Sequence, residues 1–147
     1  LQIELNLLDE AMESFRTAVD AFEQVIELSP KQGGSRNRLA SAHRELSKLH
    51  VKKGQMKEAL SVLQKSLSLS DVVLEETPNY IYIYNSIGKT QEAMADIYQD
   101  TDHLEKAHQY YKLANESYDR MLLKSPNLRE PLERKEGIKM KCSELEV

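Results

Sequence analysis

The chain has no tryptophan, two phenylalanines, one cysteine, four prolines and five glycines in 147 residues. So few turn formers leave little punctuation for the many short strands of a sandwich or barrel, and an all-β fold is not expected. A single cysteine, Cys142, cannot close an internal disulfide, and the four scattered histidines add no zinc-ligand spacing. No apolar run approaches the ~20 residues that span a bilayer. The opening LQIELNLLDE has neither the basic start nor the long apolar stretch of a signal peptide. A soluble, cytoplasmic segment is expected, with extracytoplasmic placement as part of a larger membrane protein left open. Positive charge is not in excess either. The formal net charge is -4, which opposes binding to the phosphates of nucleic acid. The sequence does not begin with methionine, which suggests a segment cut from something longer.

What the chain does contain is a repeat. Ser29-Pro30, Thr77-Pro78 and Ser125-Pro126 stand 48 residues apart. At the same offset Ala11, Ala59 and Ala107 match, as do Leu8, Met56 and Leu104, and Phe15, Leu63 and Tyr111. Ala18, Ser66 and Ala114 continue the series, and Leu46, Met94 and Cys142 and then Leu49, Ile97 and Leu145 carry it into the other half of the unit. So many aligned columns point to a structural unit used repeatedly. Within each unit apolar residues recur at three, four and seven, as in Leu8, Ala11, Phe15, Ala18, Phe22 and Ile26, which is one stripe of an amphipathic helix.

Each unit therefore holds two helices. Asn6, Gly54 and Asp102 fall in the short turn inside the unit, and each Ser/Thr-Pro pair ends the second helix, because proline cannot continue one. The pattern predicts helices at about 7–28, 36–53, 56–76, 80–100, 103–124 and 128–146, with ends uncertain by ~2 to 4 residues. The corresponding organisation is one domain with a partial repeat at 1–30, repeats at 31–78 and 79–126, and a capping helix at 127–147. Small residues spaced by seven, Ala59 with Ser66 and Gly88 with Ala95, mark places where a neighbouring backbone can approach closely. Glycine in a helix interior costs ~1 kcal/mol relative to alanine, so a close crossing at Gly88 is the expected compensation.

The segment Met94-Ala95-x-x-Tyr98, followed by Asp102-x-Leu104-x-x-Ala107-x-x-x-Tyr111-x-x-Ala114, resembles the tetratricopeptide repeat. Leu46-Ser47, His50, Gly54, Met56, Ala59, Leu63 and Ser66 occupy the same places one unit earlier. The departure is length, since the family's unit is about 34 residues and the spacing here is longer by two heptads. These long units, with Arg38-Leu39-Ala40 ahead of Leu46 and Gly54, are also similar to repeat tails of bacterial eukaryote-like serine/threonine kinases. The resemblance implies an all-α fold, a right-handed superhelical stack of antiparallel helix pairs, or tetratricopeptide-like α-solenoid, of about six helices.

Chemistry-bearing patterns are sparse. Of His43, His50, His103 and His108, only the last two are close, and a spacing of five does not place both on one helical face. His50 occupies the column of Tyr98 and reads as a packed helix residue, and Cys142 reads as a small buried hydrophobe. The sequence shows no Gly-rich phosphate loop and no nucleophile–base–acid arrangement. No enzyme activity, metal or cofactor is expected.

The resemblance places Arg44, Lys48, Lys89, Glu92 and Asp96 on a concave, groove-lining face, where some family members grip a partner's terminal carboxylate. Arg44 aligns with Glu92 and Lys48 with Asp96, so internal pairing between adjacent repeats is favoured over a clamp. Tyr80, Tyr82 and Tyr84 alternate as in a strand, but the repeat assigns them to the start of a helix with Asn79 as its cap. The rings either pack against the ends of neighbouring helices or line a partner site, with Tyr82, Asn85 and Lys89 as the contacts.

The expected activity is binding of a protein or peptide segment on the curved surface. The alternative is a self-association module of a larger signalling protein such as a bacterial kinase. At the ends, residues 1–5 read as the last turn of a helix whose body is missing, leaving Leu7, Met12, Phe15 and Val19 partly uncovered and favouring a homodimer through the N-terminal end. Lys135 and Glu136 replace apolar or small residues of the preceding units, as a capping helix requires.

Overall fold

The computed structural model describes residues 1–30 and 33–145, the side chain of Leu145 excepted. Gln32 and the Leu145 side chain, counterparts of Tyr80 and Ile97, therefore lie outside the described residues. Six helices and no strand are present among the described residues: α1 (Gln2–Leu28), α2 (Gly33–Lys52), α3 (Met56–Glu76), α4 (Ile83–Asp100), α5 (Leu104–Lys124) and α6 (Arg129–Leu145). The chain divides into two compact units, Leu1–Pro78 with α1 to α3 and Asn79–Val147 with α4 to α6.

The turns after α2 and α4 share one backbone geometry. Gly54 and Asp102 both adopt positive φ, 75° and 60°. In each turn two amides close the helix end. Gly54 N–H donates to Val51 O and Gln55 N–H to His50 O, while Asp102 N–H donates to Gln99 O and His103 N–H to Tyr98 O. This pair of bonds is a Schellman ending, which satisfies carbonyls the helix leaves unpaired, and it needs a left-handed residue that glycine or a short polar side chain supplies. Ser29, Thr77 and Ser125 share φ near -140° and ψ of 73° to 79°, outside the helical region that a following proline disfavours.

Asn6 departs from its column. It lies inside α1, which runs unbroken from Gln2, and its side chain accepts a hydrogen bond from Gln2 Nε2 at 3.2 Å. Asparagine has no strong need for the left-handed region and is tolerated inside a helix. Asn79 is not the cap of α4 either. Residues 79–82 form tight turns, with Ile83 N–H on Tyr80 O and Tyr84 N–H on Ile81 O, and α4 starts after Tyr82 without a side-chain cap.

In the first unit α2 is the central helix, packed by both α1 and α3. Ala59, Leu63, Ser66, Ser70 and Val73 form the buried face of α3, and Ser66 Oγ donates to Ala40 O on α2 at 3.1 Å, so a polar atom is satisfied at the crossing. Met12 and Val19, expected to be partly uncovered, are buried. Val19 joins Leu39 and Ala42 of α2 in one cluster bordered by Phe22, Ile26 and Leu69, so α2 supplies the partner surface. Leu7 is exposed and Phe15 half-buried.

In the second unit Ala95, Ala107, Tyr111, Ala114, Tyr118 and Ile138 form the core, with Cys142 packed against it. Gly88 is a close-contact point, but to a side chain rather than a backbone. A Cβ there would stand 2.5 Å from Cε1 of Tyr118. Helix α6 buries Pro131 and Ile138 and exposes most of its remaining described surface.

Candidate protein-binding site

The second unit gathers most of the residues singled out in the sequence. Lys89, Glu92 and Asp96 lie on α4 at spacings of three, four and seven, which places them along one stripe. Lys89 forms an ion pair with Glu130 of α6, and Asn85 Nδ2 donates to the same carboxylate at 3.4 Å. The bond from Lys89 holds the Glu130 carboxyl below the usual carboxylate range.

Glu92 is buried and is met from two helices. Tyr118 OH of α5 donates to its Oε1 at 3.2 Å, while Arg134 and Lys141 of α6 both approach Oε2 at 3.3 Å. Asp96 accepts from Lys141 at 2.9 Å and from Tyr111 OH, which also bonds Gln99. Burial alone would lower the Lys141 ammonium, but Asp96 and Glu92 outweigh it and hold its pKa above that of an ordinary lysine. Burial raises the phenols of Tyr111 and Tyr118, and the adjacent carboxylates raise them further. Both therefore remain neutral donors.

This seam of charges joins α4 to α6 through side chains and fixes the orientation of α6. Arg134 and Lys141 are the functional partners that the repeat comparison overlooked. Matching α2 with α4 column by column drew attention to Arg44 and Lys48, whereas the signal was the pair of bases seven apart on the polar α6.

The remaining candidates are more accessible. Tyr82 is 56% exposed, its ring 6.0 Å from that of Tyr80. Tyr84 instead packs beneath Arg120 of α5, whose guanidinium lies 5.5 Å from the ring centroid. In the first unit Lys48 is exposed and pairs with Glu45 at 2.8 Å, while Arg44 is half-buried and its carbonyl accepts from Ser47 Oγ. His50 is buried and bonded to Gln55 through Nδ1 at 2.8 Å, in keeping with a packing role. No group of three or more potential metal ligands occurs among the described residues. No helix among them is long and apolar enough to cross a membrane.

A search of the curated proteins finds no match. Residues 37–71 match the family model of the tetratricopeptide repeat, a span that takes in most of α2, the Gly54 turn and most of α3. With that match and six helices without a strand among the described residues, the chain is an all-α, tetratricopeptide-like helical repeat.

Proposed function

We propose that the protein is a noncatalytic interaction scaffold that binds a protein or peptide segment on its helix faces. The observation that carries this reading is the repeat match over residues 37–71, because tetratricopeptide repeats generally mediate contacts between proteins. In the second unit Tyr82 is the ligand contact, since an exposed tyrosine offers area and a hydroxyl at little entropic cost. Asn85, Lys89, Glu92 and Asp96 form the framework beside it, and their pairing with α6 leaves Tyr82 on a rigid support. In the first unit Arg44 and Lys48 are the proposed contacts. The test is capture from a cell lysate on the immobilised chain with identification by mass spectrometry, repeated with Tyr82→Ala and with Lys48→Glu. A partner retained by the parent chain and lost by either variant supports the reading; partners retained equally by all three oppose it.

Self-association within a larger signalling protein is the second reading, favoured by the exposed aliphatic residues Leu1, Ile3 and Leu7 at the start of α1. A sedimentation series across concentration separates the two, because a binding scaffold stays monomeric and an association module does not.

A further inference from the structure

A groove of about 590 Å³ runs through the first unit, between α1 and α3. Leu39 and His43 of α2 floor it, Lys65, Leu69 and Val72 of α3 form one wall, and Glu23 of α1 stands on the other. Lys65, Leu69 and Val72 follow the four-and-three spacing of one helical stripe, so Leu69 and Val72 give the wall an apolar patch about one turn long, bordered by the polar Ser61, Gln64 and Ser68. His43 is buried, and its Nδ1 has no hydrogen-bond partner among the described residues. The floor thus combines an aliphatic strip with an unanswered polar atom.

The α1 wall adds charge. Helix α1 carries seven acidic residues and one arginine, whereas the whole chain has a net charge of only -4, so the acidity of the protein is concentrated here. Asp9 pairs with Lys53 and Glu13 with Arg16. Asp20, Glu23 and Glu27 are exposed, spaced three and four apart on one stripe, and have no ion-pair partner among the described residues. Lys65 is the one cation among the described residues lining the groove, and Glu23 is the member of the carboxylate row that lines it. A row of like charge over two helical turns, beside the apolar patch of Leu69 and Val72, is the complement of a helix with basic residues on one flank and aliphatic residues on its face.

We propose that the groove between α1 and α3 is a docking site for a basic amphipathic helix of a partner protein. Its aliphatic face seats on Leu39, Leu69 and Val72, and its lysines or arginines meet Asp20, Glu23 and Glu27. A small ligand would fill the volume but would leave most of the carboxylate row unmatched. Pairing with α1 of a second copy would set acidic row against acidic row, which costs free energy. The site is separate from the surface around Tyr82 and does not depend on it.

The probe is a synthetic helical peptide of leucine and lysine, roughly 14 residues or four turns long, compared with its leucine and glutamate counterpart. Both are titrated into the full chain at moderate salt while the His43 ring resonances are followed by NMR. The lysine peptide is expected to bind saturably and shift His43, and the glutamate peptide to do neither. The combined variant Glu23→Gln, Glu27→Gln should weaken binding about tenfold through lost charge complementarity. The control Glu4→Gln, Glu10→Gln, which removes the same charge elsewhere on α1, should change it less than about twofold. Equal loss in the control would reveal unspecific attraction to an acidic helix and overturn the proposal. An unmoved His43, preference for the glutamate peptide, or self-association abolished by the groove variant would each overturn it as well.

Discussion

The Tyr118 ring of α5 occupies the space that a side chain at Gly88 of α4 would need. A Cβ at Gly88 would stand 2.5 Å from Cε1 and 2.8 Å from Cδ1 and Cζ. Tyr118 cannot easily retreat, because its ring is buried and its hydroxyl is bonded to Glu92. Gly88→Ala should therefore destabilise the protein by about 1 to 2 kcal/mol, overpacking outweighing the ~1 kcal/mol gain in helix propensity. Urea unfolding checks this. Adding Tyr118→Leu to Gly88→Ala should cost less than the two changes apart, since the smaller side chain vacates the contested space.

Ala59 and Ala107 sit at equivalent, fully buried positions of α3 and α5. Leucine at either place should cost about 1 to 3 kcal/mol by forcing α3 away from α2, or α5 away from α4. An unchanged urea midpoint would show that the helix and its partner within the unit do not meet at that column.

Glu92 is the most heavily partnered carboxylate of the second unit. Its basic partners are a third or more exposed, so solvent weakens each pair. Glu92→Gln should cost about 1 to 2 kcal/mol, below the usual loss for breaking a fully buried pair. The pH dependence has a definite sign. Lys141 has a raised pKa in the folded state, so its contribution is complete below the ordinary lysine value of about 10.4 and disappears as pH rises through the folded value. Lys141→Met should flatten the alkaline limb of a stability–pH curve relative to the parent chain.

His43 behaves in the opposite sense. Burial, and then the nearby Lys65, lower its pKa. The unfolded chain therefore binds the proton more tightly. Stability is complete above the ordinary histidine value of about 6.5 and falls as pH drops below it, by no more than about 1.4 kcal/mol per pH unit. Denaturation midpoints of the parent chain and of His43→Gln between pH 7 and 5 should diverge, the parent losing more. Parallel curves would show that the histidine titrates alike in both states.

The helix count and the turns at Gly54 and Asp102 were legible in the sequence because each rests on local chemistry that recurs along the chain. The alternating tyrosines were likewise read through the repeat and not as a strand. The helical state of Asn6 was not legible, since asparagine fits both a turn and a helix interior. Met12 and Val19 were placed at an open surface because the alignment could not show how much of α1 the side of α2 bearing Leu39 and Ala42 covers. The basic partners of Glu92 and Asp96 come from α6, the element whose pattern departs furthest from the other helices, and a column-by-column comparison is weakest there.

The most direct test of the interaction role is calorimetric titration of the purified chain with a protein segment captured from lysate. The account predicts saturable binding without turnover, weakened about five- to tenfold by Tyr82→Ala, as expected of an exposed aromatic hot spot, and unaffected by Leu123→Ser on the exposed side of α5. Binding that is indifferent to Tyr82, or chemical conversion of the captured segment, would contradict it.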